Sequence, residues 1–184
     1  MGRPSLVLVS GPAGSGKTTL AYAIGAALGC PVVSRDAIKE GMVAAEPGFV
    51  PAPTDPLTLR TFGTFFANLD LLLRSEVTTV AEAAFQHALW GRGLAALDGL
   101  ADVVVVRCRL DSVAARERME RRRAEQPTRA AHADLAHLAA AASFAPLTLD
   151  VPTLDVDTTD GYRPDLPAVL AFCRQPPRGD LSQT

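Results

Sequence analysis

The chain has little lysine, few aromatic side chains and no long hydrophobic run. Its 184 residues include lysine only at Lys17 and Lys39, aromatic residues make up 5% of them, and the formal net charge is −2. Apolar runs such as 103–106 are far too short to span a bilayer, and the N-terminus enters an apolar strand without the pattern of a signal peptide. We therefore expect a cytoplasmic protein without a membrane partner, and the near-neutral charge makes nucleic acid an unfavoured partner.

Cysteine is also scarce, and the chain is short. Cys30, Cys108 and Cys173 are odd in number and lack the spacing of metal ligands, which indicates reduced thiols rather than disulfides or a zinc site. The length suits one domain with a sizeable core. We expect a single domain over 1–175, followed by a flexible polar tail over 176–184.

The N-terminal segment carries the most specific motif of the chain. An apolar run over 5–10 predicts a buried parallel strand, and the following GPAGSGKT matches the phosphate-binding pattern G-x-x-x-x-G-K-[ST]. A helical segment comes next and ends at Gly29, which suits a C-cap. Strand, glycine-rich loop and helix together predict a P-loop, in which Lys17 meets the phosphate oxygens and the Thr18 hydroxyl is a Mg²⁺ ligand. The predicted nucleotide-binding residues of this loop are Gly11, Pro12, Ala13, Gly14, Ser15, Gly16, Lys17, Thr18 and Thr19.

Strands and helices alternate along the rest of the chain. Apolar, β-branched segments predict further strands over 31–34, 77–85, 101–110 and 153–158. Helical patterns predict helices over 37–43, 57–76, 87–100, 111–126, 130–144 and 163–175. The alternation predicts an α/β fold of the P-loop NTPase type. We expect a three-layer sandwich with a parallel sheet of about five strands, helices on both faces, and ligands at the carboxyl ends of the strands.

The predicted helix over 57–76 is long and amphipathic. Apolar side chains recur in it at helical spacing, and we expect them to share the buried face of the helix. These side chains are Leu59, Phe62, Phe66, Leu69 and Leu73. Trp90, the only tryptophan, is expected in the core rather than at a substrate platform.

Asp36 follows the second predicted strand, at the edge of the sheet where the P-loop also lies. A carboxylate there could accept the proton of an attacking hydroxyl and orient it in line with the γ-phosphate. The alternative is a helix N-cap, because Asp36 directly precedes the predicted helix over 37–43. The two roles are compatible. We interpret Asp36 as a catalytic base and, with the neighbouring Arg35, as part of the acceptor site.

Glu82 stands at the end of the third predicted strand. In P-loop proteins an acid at a strand end commonly holds Mg²⁺, often through water. Glu82 could instead bind the acceptor or cap the next helix, and the sequence does not decide between metal and substrate. We therefore count Glu82 among both the metal-binding and the substrate-binding candidates, and we add Gln86 from the turn that follows.

Arginines are concentrated in the segment 111–130, where acidic residues are interspersed with them. Arginine forks match phosphate oxygens, and a mobile segment that carries them could close over a nucleotide. The alternatives are a solvated helix face with Glu partners and, less compatible with the acids and the net charge, a nucleic-acid patch. Arg118 and Arg122 lie four residues apart on one helix face, and we predict that both bind the nucleotide and assist transfer.

Five blocks of the sequence, in their order, resemble the small P-loop kinases related to chloramphenicol phosphotransferase, with gluconate and polynucleotide kinases as more distant kin. The blocks are GPAGSGKTT, SRDAIKE, VAEAAF, VVVVRCRLDSVAARERMERR and LDVDTTD. The resemblance runs from residue 5 to about residue 175. It implies a nucleoside-kinase-like core, ATP or GTP with Mg²⁺, a lid over 111–130, and phosphorylation of a hydroxyl. It places Asp157, Thr158 and Thr159 near the nucleobase, although Asp157 could equally anchor its turn.

The acceptor region departs from the pattern of the antibiotic kinases. The segment 46–69 has no counterpart there, and we expect it to frame the acceptor together with the turn after Glu82. Phe49, Arg60 and Phe66 are the candidates for contact with the acceptor. Each of them, like Phe65, is by itself more typical of a position in the core.

The leading interpretation is an ATP- or GTP-dependent phosphotransferase that acts on a hydroxyl of a small molecule, with a chloramphenicol-like or nucleoside antibiotic as the acceptor. Phosphorylation adds charge and bulk to a drug, which its target then does not accommodate. One alternative is a kinase of primary metabolism that acts on a nucleoside, gluconate or a polynucleotide. Another is a nucleotide-dependent switch or binding protein. The sequence leaves the oligomeric state open.

Overall fold

A computed structural model describes residues 2–46, 48–50, 56–111, 113–115, 117–118, 120 and 144–174. The strands in this part of the chain are β1 (Ser5–Ser10), β2 (Val32–Ser34), β3 (Thr79–Glu82), β4 (Asp102–Arg109) and β5 (Thr153–Asp157). The helices named below are α1 (Lys17–Leu28), α2 (Arg35–Ala44), α3 (Pro56–Arg74), α4 (His87–Ala95) and α5 (Leu166–Arg174). The predicted tail over 176–184 lies outside the described residues, as does nearly all of the predicted helix over 130–144.

The five strands form one parallel sheet in the order β2-β3-β1-β4-β5. Parallel neighbours need crossover connections, and the helices α1 to α4 supply them between β1 and β4. The register aligns Glu82 of β3 with Val9 of β1 on one side and with Ser34 of β2 on the other. The carboxyl ends of these three strands therefore meet beside the loop that follows β1.

Helices cover both faces of the sheet. Alternate residues of β1 point to opposite faces: Leu6 and Leu8 pack with α3 and α4, whereas Val7 and Val9 pack with α1 and α5. All four side chains are fully buried. A strand that is apolar on both faces suits the centre of a parallel sheet, and the predicted three-layer α/β sandwich is confirmed.

Helix α3 buries a different face from the one expected. Its buried residues, spaced by four, are Leu57, Thr61, Phe65, Leu69 and Leu73. Leu59 is 80% exposed, so the prediction that it shares the buried face is wrong. Phe62 and Phe66 are half-buried and pack at the edge of the core. The apolar residues of this helix cover more than one face. The face that packs against the sheet is formed by residues four positions apart, about one per helical turn.

An aromatic cluster joins α3 to α4 and to the end of β3. Its rings are T-shaped or tilted to one another, with centroids from 4.7 to 6.0 Å apart, and they belong to Phe62, Phe65, Phe66, Phe85 and Trp90. Trp90 is 6% exposed, which confirms its predicted place in the core. Gly93 of α4 lies directly against the Phe66 ring, where a Cβ atom would overlap it. This close approach holds α4 against α3.

Residue type explains the ends of two helices. Helix α1 stops at Gly29, whose φ of 68° lies in the left-handed region that favours glycine. Asp111 precedes the helical residues 113–115, and its Oδ1 accepts the backbone N–H of Val113 at 2.8 Å. None of the described helices is both long and apolar enough to cross a membrane.

Candidate active site

The loop between β1 and α1 has the shape of an anion cradle. A Cβ atom on Gly11 would lie 2.5 Å from Ser15 Oγ and 2.8 Å from the Cys108 carbonyl oxygen, so only glycine fits. Gly14 and Gly16 have φ values of 79° and 75°, which turn the backbone toward the start of α1. Gly16 is the N-cap of α1 and has no side chain, so no side chain accepts from the first N–H groups of the helix. These N–H groups are therefore available to bind an anion.

Ser15 supplies a second sign that the loop fits phosphate. Its Oγ is buried and has no hydrogen-bond partner among the described residues. A buried hydroxyl without a partner is costly, and an anion in the loop would satisfy it. The loop residues of the predicted P-loop thus fit the group expected there.

Three side chains converge on Glu82 from two other elements. Lys17 Nζ lies 3.8 Å from Glu82 Oε1, and Thr18 Oγ1 donates to the same oxygen at 3.3 Å. Ser34 Oγ donates to Oε2 at 2.6 Å. Glu82 is fully buried, and a buried carboxylate is tolerated when its oxygens are paired and hydrogen-bonded in this way.

The donor set next to Glu82 suits Mg²⁺. A carboxylate and a hydroxyl are the oxygen ligands that this ion prefers, and Mg²⁺ usually keeps several waters and takes few protein ligands. Within the described part of the chain, no group of three or more His, Cys, Asp and Glu side chains forms a closed metal cage. Thr18 and Glu82 would therefore hold the ion together with the phosphates.

Asp36 does not cap α2. The N-cap is Ser34, whose Oγ accepts the backbone N–H of Ala37 at 3.3 Å, and Asp36 lies in the first turn. The alternative interpretation of Asp36 as an N-cap is therefore wrong. A serine hydroxyl at the strand end reaches the helix N–H groups better than a carboxylate two residues further on. Asp36 Oδ1 accepts from Arg35 Nη1 at 3.0 Å, and its side chain is 31% exposed.

Lys39 was missed by the sequence reasoning. It lies three residues after Asp36, one turn along α2, and is 5% exposed. Its Nζ donates to Thr58 Oγ1 of α3 at 3.1 Å and stands 6.0 Å from the centre of the Phe49 ring. The rarity of lysine in this chain was the available signal, because both lysines are buried at the same end of the sheet.

The remaining acceptor candidates are spread over different surfaces. Arg60 is exposed on α3, and Phe66 lines a groove of about 600 Å³ between α3 and α4. Gln86 forms a backbone bridge with Pro146 and precedes α4. Phe49 is the candidate that lies with Lys39 beside α2. The structure thus brings Phe49 and Asp36 onto the α2 side and leaves Arg60, Phe66 and Gln86 elsewhere.

The turn after β5 packs against the P-loop. Thr158 Oγ1 lies 2.7 Å from the Ser15 carbonyl oxygen and 3.1 Å from the Arg109 carbonyl oxygen, and its residue is 3% exposed. Asp157 Oδ1 accepts the backbone N–H of Thr159 at 2.8 Å, so Asp157 does anchor the turn. Hydrogen bonds from Thr159 hold the pKa of Asp157 below its ordinary value.

Arg118 connects the arginine-rich segment to this turn. Its Nη2 donates to the carbonyl oxygens of Thr158 and Thr159 at 2.7 and 2.9 Å. Its Nη1 lies 3.6 Å from where a Cβ atom on Gly16 would be. The guanidinium therefore stands between the P-loop and the turn expected near the nucleobase. Arg122 and the rest of the predicted lid beyond 120 lie outside the described residues.

Cys108 lies directly beneath the P-loop. Burial raises the pKa of its thiol to about 12, Lys17 opposes this shift and Glu82 adds to it. With so high a pKa the Cys108 thiol stays protonated at neutral pH, so it packs against the loop and is a poor nucleophile. The cysteines Cys30, Cys108 and Cys173 are all free thiols.

Comparison with known proteins identifies the family. The sequence pattern of the family described as AAA domain matches residues 6–147, more than half of the chain. No curated protein matches the sequence at significant similarity. The fold is similar to that of a candidate kinase from Chloroflexus aurantiacus J-10-fl, with a TM-score of 0.81, 26% identity, and coverage of 95% of this chain and 98% of the other.

Two further solved structures share the fold at lower identity. A gluconokinase from Sinorhizobium meliloti 1021 has a TM-score of 0.61 and 21% identity, over 94% of this chain and 92% of its own. A sugar kinase from Janibacter sp. HTCC2649 has a TM-score of 0.58 and 19% identity, over 85% and 86%. With its phosphate cradle and parallel sheet, the chain belongs to the AAA domain family and has the nucleotide-binding fold of P-loop kinases.

Proposed function

We propose that the protein is a kinase that transfers the γ-phosphate of ATP or GTP, with Mg²⁺, to a hydroxyl of a small molecule. The observation that carries the proposal is the convergence of Lys17, Thr18 and Ser34 on the buried Glu82 beside the P-loop. Asp36 follows in the first turn of the helix that Ser34 caps. The proposed base is therefore two residues from Ser34, whose hydroxyl contacts Glu82, as transfer of a phosphate to a hydroxyl needs.

The proposed step is an in-line displacement on the γ-phosphorus. The acceptor oxygen forms a bond to phosphorus, the bond from phosphorus to the β,γ-bridging oxygen breaks, and the nucleoside diphosphate leaves. Asp36 takes the proton of the acceptor hydroxyl. Lys17 offsets charge on the transferring group. Thr18 and Glu82 would hold Mg²⁺, which would supply further positive charge against the phosphate oxygens. Arg118, and Arg122 in the predicted lid, contribute further positive charge.

The acceptor would lie over Asp36, between α2 and α3. Lys39 supports this position, because it lies one turn of α2 after Asp36 and is near the hydroxyl of Thr58 and the ring of Phe49. Arg35 next to Asp36 would orient the carboxylate. A site with charged, hydroxyl and aromatic groups suits a polar acceptor that has an apolar part.

Within this reaction class we propose an antibiotic, chloramphenicol-like or nucleoside, as the acceptor, and the cytoplasm as the compartment. The support for the acceptor is the order of the five sequence blocks, and the support for the compartment is the three free thiols. A nucleoside, gluconate or a 5′-hydroxyl oligonucleotide would make the protein a kinase of metabolism or repair instead. A switch protein would show slow hydrolysis that no acceptor changes.

An acceptor screen tests the proposal. Purified protein would be incubated with Mg²⁺ and γ-labelled ATP or GTP, with chloramphenicol, nucleoside antibiotics, aminoglycosides, nucleosides, gluconate or a 5′-hydroxyl oligonucleotide. Product mass is the readout, and Lys17→Ala is the control for contaminating kinases. A gain of one phosphate on one acceptor, absent with Lys17→Ala, is the expected result. Release of free phosphate that every acceptor leaves unchanged would contradict the kinase proposal.

A further inference from the structure

Ser34 forms two hydrogen bonds of opposite direction. Its hydroxyl donates its hydrogen to Glu82 Oε2 at 2.6 Å and accepts the backbone N–H of Ala37 at 3.3 Å. The residue is 5% exposed, so water does not replace these partners readily. A hydroxyl has one hydrogen, and here that hydrogen is committed to the carboxylate while the lone pair faces the helix.

The sheet register explains why this bond exists. Ser34 and Glu82 are paired residues on the neighbouring parallel strands β2 and β3, so their side chains leave the sheet on the same face. The other carboxylate oxygen, Oε1, faces Thr18 at 3.3 Å and Lys17 at 3.8 Å. The two oxygens of Glu82 are thus divided between the P-loop and the start of α2.

We propose that Ser34 is a positioning residue that sets the orientation of Glu82 and ties it to the helix that carries Asp36. The proposal rests on the proposed function, because it takes Thr18 and Glu82 as the metal-binding pair. When Ser34 holds Oε2, Oε1 stays directed at Thr18, whose hydroxyl then keeps its lone pairs for the metal. Without the Ser34 hydroxyl, the carboxylate is free to turn away from Thr18, so the two side chains no longer face one ion together.

A purely structural role for Ser34 makes a different prediction. As the N-cap of α2, Ser34 could serve only the helix, and its loss would then lower stability alone. Ser34→Gly separates the roles, because glycine is nearly as good an N-cap as serine but cannot donate to Glu82. A matched control is Asp165→Ala. Asp165 Oδ1 accepts the backbone N–H of Ala168 at 3.0 Å at the start of α5, so this variant loses a helix cap away from Glu82.

The experiment measures binding of a fluorescent ATP analogue while Mg²⁺ is titrated. In Ser34→Gly we expect the Mg²⁺ concentration for half-maximal effect to rise about tenfold, as for other residues that orient a metal ligand. Affinity for the nucleotide without Mg²⁺ should stay unchanged, and Ser34→Thr should restore the original Mg²⁺ dependence. Asp165→Ala should lower the melting temperature and leave the Mg²⁺ dependence as it was.

Two results would overturn the proposal, and they differ. If the original protein binds the analogue with Mg²⁺ and Ser34→Gly has the same Mg²⁺ dependence, Ser34 is only a helix cap. If the original protein binds neither ATP nor GTP analogues, the proposed function fails and this proposal fails with it. Should Ser34→Gly not fold, Ser34→Ala, which keeps the Cβ in the buried site, serves the same comparison.

Discussion

The two ends of the proposed site differ in burial: at the phosphate end Lys17, Glu82 and Ser34 are all buried and in contact across the fold, whereas at the acceptor end Lys39 is buried but Asp36 and Phe49 are partly exposed. Lys17, Glu82 and Ser34 are each less than 10% exposed and connect α1, β3 and β2. Asp36 is 31% exposed, and Val50 beyond it is 77% exposed. The sheet positions the first set, and two helices with their connecting segment position the second. We therefore expect the chemistry common to the fold at the first end and the choice of acceptor at the second.

The two lysines give the largest test of this comparison. Lys17→Ala should lower kcat/KM by about a thousandfold, because it removes a charge aimed at the transferring phosphoryl group. Lys39→Ala should raise KM for the acceptor and leave nucleotide affinity unchanged, because it belongs to the acceptor end. Steady-state kinetics and calorimetric nucleotide binding measure both. If Lys39→Ala loses nucleotide binding, the proposed separation of the phosphate end from the acceptor end is wrong.

Asp36→Ala should lower kcat about a hundredfold through loss of the base, with nucleotide affinity unchanged. Asp36→Asn keeps the shape of the side chain and should lose as much, because the amide does not take the proton. The pair is measured by single-turnover transfer and by titration with the nucleotide. If either variant fails to bind the nucleotide or to fold, the assignment of Asp36 as the base is wrong.

Two glycines give a test that needs no acceptor. Gly11→Ala should lower the free energy of unfolding by about 1 to 3 kcal/mol, because its Cβ would overlap Ser15 and the Cys108 carbonyl. A Cβ atom on Gly41, in α2, would have no other atom within 4 Å, so Gly41→Ala should raise the free energy of unfolding by about 0.5 to 1 kcal/mol. Thermal unfolding with and without ATP measures both. Equal effects of the two substitutions would contradict the tight construction of the loop.

Arg118→Ala should weaken nucleotide binding about tenfold, because two charge-assisted hydrogen bonds to the turn at Thr158 and Thr159 are lost. Arg174→Ala is the matched control, since Arg174 also donates to a backbone carbonyl, that of Ala27, at 3.2 Å but at the C-terminal end of α1. Nucleotide titration compares the two. Equal losses would mean that Arg118 has no particular connection to the nucleotide.

The smallest effect concerns the thiols. Only a thiolate reacts with iodoacetamide, and the pKa of Cys108 is about 12 and that of Cys173 about 11, both raised chiefly by burial. At pH 8 both should be almost wholly protonated and react slowly, and the half-exposed Cys30 should react first. Rates should rise with pH because the thiolate fraction rises. The labelling of each cysteine would be followed by peptide mass spectrometry. Fast labelling of Cys108 would show that solvent reaches the buried thiol beside the P-loop, contrary to this prediction.

Features that depend on contiguous residues could be predicted from the sequence. Strand, glycine loop and helix are contiguous, so the P-loop could be predicted, and regular alternation predicted the parallel sheet. The buried face of α3 could not, because apolar residues lie on several of its faces and only the sheet distinguishes Leu59 from Phe65. The bond from Ser34 to Glu82 joins residues 48 positions apart and depends on strand register, which the sequence does not display.

The alternation of side chains along β3 also affects how such a protein can change over time. Insertion or deletion of one residue within β3 before Glu82 would turn the Glu82 carboxylate to the opposite face of the sheet. We therefore expect that homologues of this protein do not tolerate such changes of length. The three side chains that contact Glu82, those of Lys17, Thr18 and Ser34, all precede Ala44, so a change of length between Ala44 and Pro56 alters none of the residues that pair with Glu82. If the proposed acceptor site is right, replacement of the whole segment would therefore change the acceptor without disturbing Glu82.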